Sequence, residues 1–532
     1  MIAVVGTMTA LTRGIHEMPV VPSEVVARGS TRDLCEQFVL SESLDTPDGF
    51  ESESLGTWRL AHHPTLPVIH IEDQSGARLG WLLGYPITAQ PELLRSGSTV
   101  TVDASVDPLA FVDDLGGRFL AVFVSGPSPA IYPDAAASYA SVFCPSMRLV
   151  ASTASLIPYD LGTTDRLDVL RELDIPFSTN YFPFGLTHRH GVEQLQPNHH
   201  LDLERWEAVR HGPRPPARGS WSVEESAARV AAIIQRHFAA VLEQYAGYLP
   251  ITSGHDSRML LACAREHRDE LALYTLRIPD LNGARDAYVA SHIAQRLGLE
   301  HQRVSMIAPS PRDLELWSYR SGCVVGEPRG RHAATTYRSL DRSRVRFNGQ
   351  IGDLLRTPCR TPDDSEDSVI SVERVAMQAI NEADGAEYRS KLSPGQLRVA
   401  LSPLVLERAE RWLAGLSGFD GLTVIDLNYL ESSVAPWAGP WAYAEFFDPG
   451  FTLFPMCHRE IVDIFLALPE RERRDNSLQR AIIRAHWPEL LEWPFNVTPW
   501  QVTARQFPRR AARRAGRCAS TAKSRIVDGT SG

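Results

Sequence analysis

"YLPITSGHDSRMLLACA", residues 248–264, decides how the second half of the chain is read. Tyr248, Leu249 and Ile251 make an apolar approach to the polar run Thr252-Ser253-Gly254-His255-Asp256-Ser257-Arg258, after which Met259-Leu260-Leu261-Ala262 is apolar again. The pattern predicts a strand, a small polar turn and a helix start. In open parallel sheets, ligands sit beyond the carboxyl ends of strands, where helices begin. Backbone N–H groups at such a start attract anions, small residues let a phosphate approach the backbone, and the Ser257 hydroxyl can donate to it. Asp256 repels an anion but suits Mg2+, which takes one or two protein carboxylates together with phosphate oxygens. The stretch therefore reads as a pyrophosphate-and-magnesium loop; the plainer alternative is a turn whose Asp caps the helix. It is not a P-loop, since no GK[ST] follows at the required distance.

A second stretch, "RFNGQIGDLLR" at 346–356, again ends a predicted strand, with Asn348-Gly349-Gln350-Ile351-Gly352-Asp353. Gly349 and Gly352 permit a tight turn, and Asp353 adds a carboxylate near a strand end. Asp256 and Asp353 are thus the expected Mg2+ ligands of one phosphate site. Arg356 is a candidate phosphate contact, with a surface salt bridge as its plain alternative.

Around these motifs the chain divides in two. Residues 1–209 are strand-rich: "TLPVIHIED", "ARLGWLLGYPI", "GRFLAVFVSG", "PAIYPDA" and "RLVASTASLI" are short apolar or alternating runs cut by Gly, Pro, Asp and Ser. An α/β unit dominated by antiparallel sheet is expected. Residues 210–222, rich in Pro, Gly and Arg, read as a linker. From Ser222, a Ser-x-x-Glu capping box opens a helix with Val230, Ile233, Ile234, Phe238, Val241 and Leu242 on one face. Strands then alternate with helices: the strand ending at Ile251, "LALYTLRI", "HQRVSMI" and "SRVRFNGQI", with Gly298 stopping an intervening helix. This predicts a doubly wound parallel sheet over residues 223–502, mostly helical past Pro403. The acidic run "TPDDSEDS" (361–368) reads as a mobile loop.

Composition limits the function classes. With 43% hydrophobic and 22% charged residues among 532, the chain is globular and long enough for two domains. Nothing approaches a membrane-spanning run of about 18 apolar residues, and no basic region precedes the short apolar stretch at the start, so no secretory signal is expected. Seven scattered cysteines without a CxxC pair suggest reduced thiols in a cytoplasm and no zinc site. The net charge is -10, yet residues 503–532 hold eight Lys and Arg against Asp528 alone, so the body is still more acidic. That disfavours nucleic acid; the basic tail reads as a solvated, disordered terminus.

With these residues in view, the sequence resembles the asparagine synthetase-like family, relatives of β-lactam synthetases and lasso-peptide cyclases. "TSGHDSR" is similar to the PP-loop S-G-G-x-D-S of ATP pyrophosphatases, with Thr252 and Ser253 standing for the first Ser and first Gly. "NGARDAYVASHIAQRLGLEHQ" is similar to the family's acidic-helix segment, with Asp286 near the acidic position, and "NGQIGD" stands where it has S-G-x-G-x-D/E. "FPMCHREIVDIFLALPERERRDNSLQRAIIRAHWPELL" is like its C-terminal helices, and the first unit resembles a class II glutamine amidotransferase (Ntn-type) domain, closing with "GVEQLQPNHHLDL". The resemblance implies an Ntn-type antiparallel, sandwich-like domain followed by a PP-loop synthetase domain of the adenine nucleotide α-hydrolase kind. It implies ATP and Mg2+ as cofactors, with Thr252, Ser253, Gly254, His255, Asp256, Ser257, Arg258, Gly349 and Gly352 around the nucleotide. The implied reaction joins a carboxylate to an amine, small molecules or peptide, through an acyl-adenylate, releasing pyrophosphate and then AMP. A lasso-type cyclase would add a leader-peptide-binding or protease partner.

Departures from the family shape the expected chemistry. Residue 2 is Ile2 rather than the Cys nucleophile of a glutaminase, the nearest cysteine being Cys35, so the first unit is expected to be inactive on glutamine unless the true start lies elsewhere. Gln350 stands where the family often has an acid, and Gln is no base. No lysine lies between Lys391 and Lys523, which leaves Arg480, Arg484 or Arg459 as charge stabilisers; Arg cannot shuttle protons. Glu327 and Glu445 are the candidate bases, and His255 has an open role. The expected catalytic residues are Gln350, Arg480 and Glu327. Competing readings are a glutamine-hydrolysing asparagine synthase, a degenerate scaffold protein, and a PP-loop enzyme that modifies nucleic acid.

Overall fold

The computed structural model describes residues 21–502 apart from 104–106, 127, 176–177, 179, 325, 356–358 and 381–387. Ile2, Arg356 and the basic tail lie outside the described residues. The chain is mixed α/β: two largely antiparallel sheets come first, and a parallel five-stranded sheet with helices follows.

In the first unit, a six-stranded sheet runs Glu193–Gln194, Val142–Cys144, Leu149–Ala151, Phe38–Ser41, Trp58–His62, Glu51–Leu55. A seven-stranded sheet runs Glu207–Arg210, His199–Asp202, Ala130–Pro133, Gly116–Phe123, Arg78–Ile87, Val68–Asp73, Thr99–Val102, with only the last pair parallel. Phe38, Leu40 and Leu60 from the first sheet meet Trp81, Leu83, Leu120, Val122 and Ile131 from the second in one core. The alternation that predicted strands here works because period-2 side chains share a face: Leu40 faces Leu60, and Leu83 faces Leu120. "RLVASTASLI" departs from its expectation; the strand stops at Ala151, and Ala154–Leu156 is a 3-10 turn.

Elements of the second unit are numbered in chain order. Helix α1 is Val223–Leu242, with the Ser222–Glu225 capping box formed in both directions. Strand β1 is Gly247–Pro250, helix α2 His255–Cys263, β2 Leu271–Arg277, α3 Leu281–Leu297 and β3 His301–Ser305. Helix α4 is Glu327–Ser339, β4 Val345–Phe347, β5 Thr452–Leu453 and α5 Ser477–His486. Helix α3 starts at Leu281 because the Asp280 side chain accepts from Gly283 N–H at 2.6 Å, and it stops, as expected, at Gly298 with φ 68°. The sheet order is β3-β2-β1-β4-β5, all parallel. The order reverses between β1 and β4, the two strands that precede "TSGHDS" and "NGQIGD". Such a switch point opens a crevice at the carboxyl ends of both strands. The sequence reading missed β5, which lies in the region expected to be helical.

Two regions expected to be loose are tied down. In 210–222, Arg210 grips Glu431, and Arg218 donates to the carbonyls of Leu466 and Leu468 and pairs with Asp420. In the acidic run, Asp364 takes a bidentate pair from Arg374 at 2.6 Å, and Glu366 pairs with Arg218. Arginines elsewhere in the chain fix charges that look unpartnered in sequence.

The seam between the units also buries histidines. His237 sends Nδ1 to the Pro455 carbonyl at 2.8 Å, and His458 Nε2 faces Arg236 at 3.0 Å. Burial pulls His237 down to about 4 and His458 to about 3. Since both folded values lie below the usual ~6.5, their stabilisation is full above about pH 6.5 and is lost as pH falls toward the folded values. The unfolding free energy from urea titration should therefore drop between about pH 7 and 5, by up to ~1.4 kcal/mol per pH unit for each histidine. A flat profile over that range would contradict the assignment of both rings as buried and neutral.

Candidate active site

The turn after β1 is braced from within. The Thr252 N–H and hydroxyl both meet Ser257 Oγ, at 3.1 and 2.9 Å, and Gly254 N–H donates to Thr252 Oγ1 at 3.1 Å. Ser253 is fully buried, with its N–H and hydroxyl both directed to Asp286 Oδ1 on α3, at 3.2 and 2.5 Å. Gly254 has no side chain to cap α2, and the N–H groups of residues 255–257 belong to the first turn, which a helix leaves outside its own ladder. Small and hydroxylated residues are needed because every side chain here either folds back on the turn or clears its mouth.

The turn after β4 meets it. A Cβ on Gly352 would lie 3.3 Å from Asp256 Cγ and 2.9 Å from Met456 Cε, so a larger residue would push the two loops apart. Asp353 follows directly, half-buried, within the 3-10 turn Gly352–Leu355. Ile351 holds φ 77° while buried; a β-branched residue in this region is a genuine outlier, and such strain clusters at functional sites. The Gln350 N–H donates to Asn348 Oδ1 at 3.1 Å, while its side-chain oxygen is buried without a hydrogen-bond partner among the described residues. Gly349 packs over Leu260. The turn is supported from below: Arg473 donates to the Leu354 carbonyl at 2.9 Å and, with Arg360, clasps buried Asp426.

From α5, Gln479 Nε2 donates to Asp256 Oδ1 at 3.3 Å. Gln479 carries no motif in the sequence that marks it; its helical neighbour Arg480, the expected charge stabiliser, is exposed, with its guanidinium 5.2 Å from the Phe495 ring. His255 stacks on the same ring, centroids 3.8 Å apart and planes 9° from parallel.

Several expected roles change. Arg258 is not turned toward the mouth of the loop. It is fully buried, donating to the carbonyls of Ser253, Leu490, Trp493 and Pro494, and burial lowers its pKa to about 10. Ser253 is likewise committed to Asp286. Glu445 is buried and bonded to Arg346 and Thr336, so it is a structural counter-ion rather than a base. Arg459 bonds Asn198 at 2.6 Å and pairs with Asp113, at the seam between the units. Glu327 opens α4 as its first residue. Among the described residues, no group of three or more His, Cys, Asp or Glu could hold a metal ion. Asp256 and Asp353, on the two adjoining turns, could hold Mg2+ only with further oxygens supplied by a ligand. No described helix is long and apolar enough to cross a membrane. Compared with known proteins, the sequence matches no family model and no curated relative.

Proposed function

We propose that the chain is an ATP-dependent, AMP-forming amide ligase of the asparagine synthetase-like kind, with an Ntn-type first domain and a PP-loop synthetase domain. The observation that carries the reading is the contact of Asp256 with Gly352, which sets two carboxylate-bearing turns side by side at the switch point of a parallel sheet. Asp256 and Asp353 would hold Mg2+, which supplies charge neutralisation for the departing pyrophosphate. The first-turn N–H groups of α2, with Ser257, would hold the phosphates, and Arg480 would offset charge at the rim. The substrate carboxylate attacks the α-phosphorus, the bond to the β-phosphate oxygen breaks, and the amine then displaces AMP as its proton passes to a base. Glu327, the other carboxylate that the sequence offers, would take that proton.

The nitrogen in this reading comes from an amine substrate. Cys35 is buried, and that burial pushes its thiol up to about 11, the reverse of what a nucleophile requires. Macrolactam, lactam and intermolecular amide formation in natural-product biosynthesis all fit. Exchange of labelled pyrophosphate into ATP, run against amino acids and peptides, is the assay. A carboxylate that switches exchange on supports the ligase. A second reading, a binding protein without turnover, draws on Gln350 and the locked Glu445; MgATP binding with no exchange for any carboxylate would favour it.

A further inference from the structure

The segment 490–496 lies across the phosphate loop although 232 or more residues separate it from Arg258. Three kinds of contact hold it. Arg258 takes the carbonyls of Leu490, Trp493 and Pro494 on one side and that of Ser253 on the other, fastening segment and loop to one guanidinium. The Phe495 ring stacks on His255 and also lies 4.2 Å from the Arg258 guanidinium carbon. Asn496, in the left-handed region with φ 55°, donates its N–H to the Ser253 carbonyl at 3.1 Å, and its own carbonyl accepts from Arg285 at 3.1 Å. Arg285 adjoins Asp286, the residue that braces Ser253. The segment is therefore joined to both ends of the turn and to its brace.

We propose that residues 490–496 are a strap that positions the phosphate loop, with Arg258 as its fastening and Phe495 as its anchor, and that it sets affinity for the nucleotide rather than the rate of chemistry. This rests on the nucleotide reading above. None of the strap residues needs to touch the reacting atoms; each acts through Ser253, His255 or Arg258. A loop whose N–H groups are preset binds phosphate without first being ordered, so loosening the strap should weaken binding at an unchanged saturated rate. Phe495 is half-buried and packs against the margin of the main core, so its truncation removes no fully buried side chain.

The test compares wild type, Phe495→Ala and Phe495→Tyr, full length. Amide hydrogen exchange is followed over residues 249–260 and 488–497, and MgATP affinity by calorimetry. In Phe495→Ala we expect exchange in both segments to speed up and the MgATP Kd to rise about tenfold, while Phe495→Tyr, which keeps the stack, stays near wild type. Faster exchange in 488–497 with a Kd within about twofold of wild type would overturn the proposal, reducing the strap to local packing. If wild type binds no MgATP, the nucleotide reading falls, and the 249–260 segment alone decides the coupling: faster exchange in Phe495→Ala upholds it, and unchanged exchange ends it.

Discussion

Replacing Asp256 by Asn is expected to cut MgATP-dependent pyrophosphate exchange by about a hundredfold or more, while the thermal midpoint stays close to wild type. The size follows from loosening the Mg2+ that Asp256 would hold against the negative charge developing on pyrophosphate; losing one such electrostatic stabiliser typically costs 10²- to 10³-fold. The small effect on stability follows from the setting. Asp256 is partly exposed, and the hydrogen bond from Gln479 at 3.3 Å is one that an Asn oxygen can still accept. Asn also keeps the contact with Gly352, so the two turns retain their spacing. Gln479→Ala should act in the same direction but more weakly, about tenfold, since it leaves the charge and removes only its orientation.

The second large effect is on stability. Glu431 is fully buried in the π-helical turn Leu430–Val434 and accepts from Arg210 at 2.8 and 2.6 Å, from Asn198 at 2.6 Å and from the Trp412 indole at 2.6 Å. Burial works against the charge, yet Arg210 and the other donors outweigh it and hold the carboxyl below its ordinary range. The carboxylate thus joins the last strand of the first unit to the helices of the second. Glu431→Ala strips the partner from a largely buried guanidinium, and removing one member of a buried pair costs ~3–5 kcal/mol. Chemical denaturation should show that loss; a change below ~1 kcal/mol would mean that water replaces the carboxylate at no cost. Because the folded pKa is depressed, this contribution is present above the usual glutamate range and disappears as pH falls through the lower folded value.

What could be read in the sequence was local. "YLPITSGHDSRMLLACA" announces strand, turn and helix within seventeen residues because each signal is a matter of near neighbours. The same holds for the Ser222 capping box and for Gly298. Strands whose order is set by distant partners were harder. Glu51–Leu55, with sequence ESESL, carries little apolar signal and exists as an edge against Trp58–His62. β5 is two residues long and is defined by its pairing with Arg346 and Phe347. Polar residues misled for the same reason. Glu445 and Arg258 look like chemistry in one dimension, but Arg346 and four carbonyls claim them in three. The strap is the extreme case: nothing in "LEWPFNV" signals a partner, and only the fold brings it to residue 253.

The central claim is that Asp256 and Asp353 serve one Mg2+–nucleotide site. A double-variant cycle on MgATP binding addresses it most directly, with Asp256→Asn, Asp353→Asn and both together measured by calorimetry. If one ion bridges both carboxylates, either single change should weaken binding by about a hundredfold, and the pair should lose little more than one alone, a coupling of more than ~1 kcal/mol. Losses that simply multiply, or an Asp353→Asn protein that binds MgATP as wild type does, would contradict a shared site.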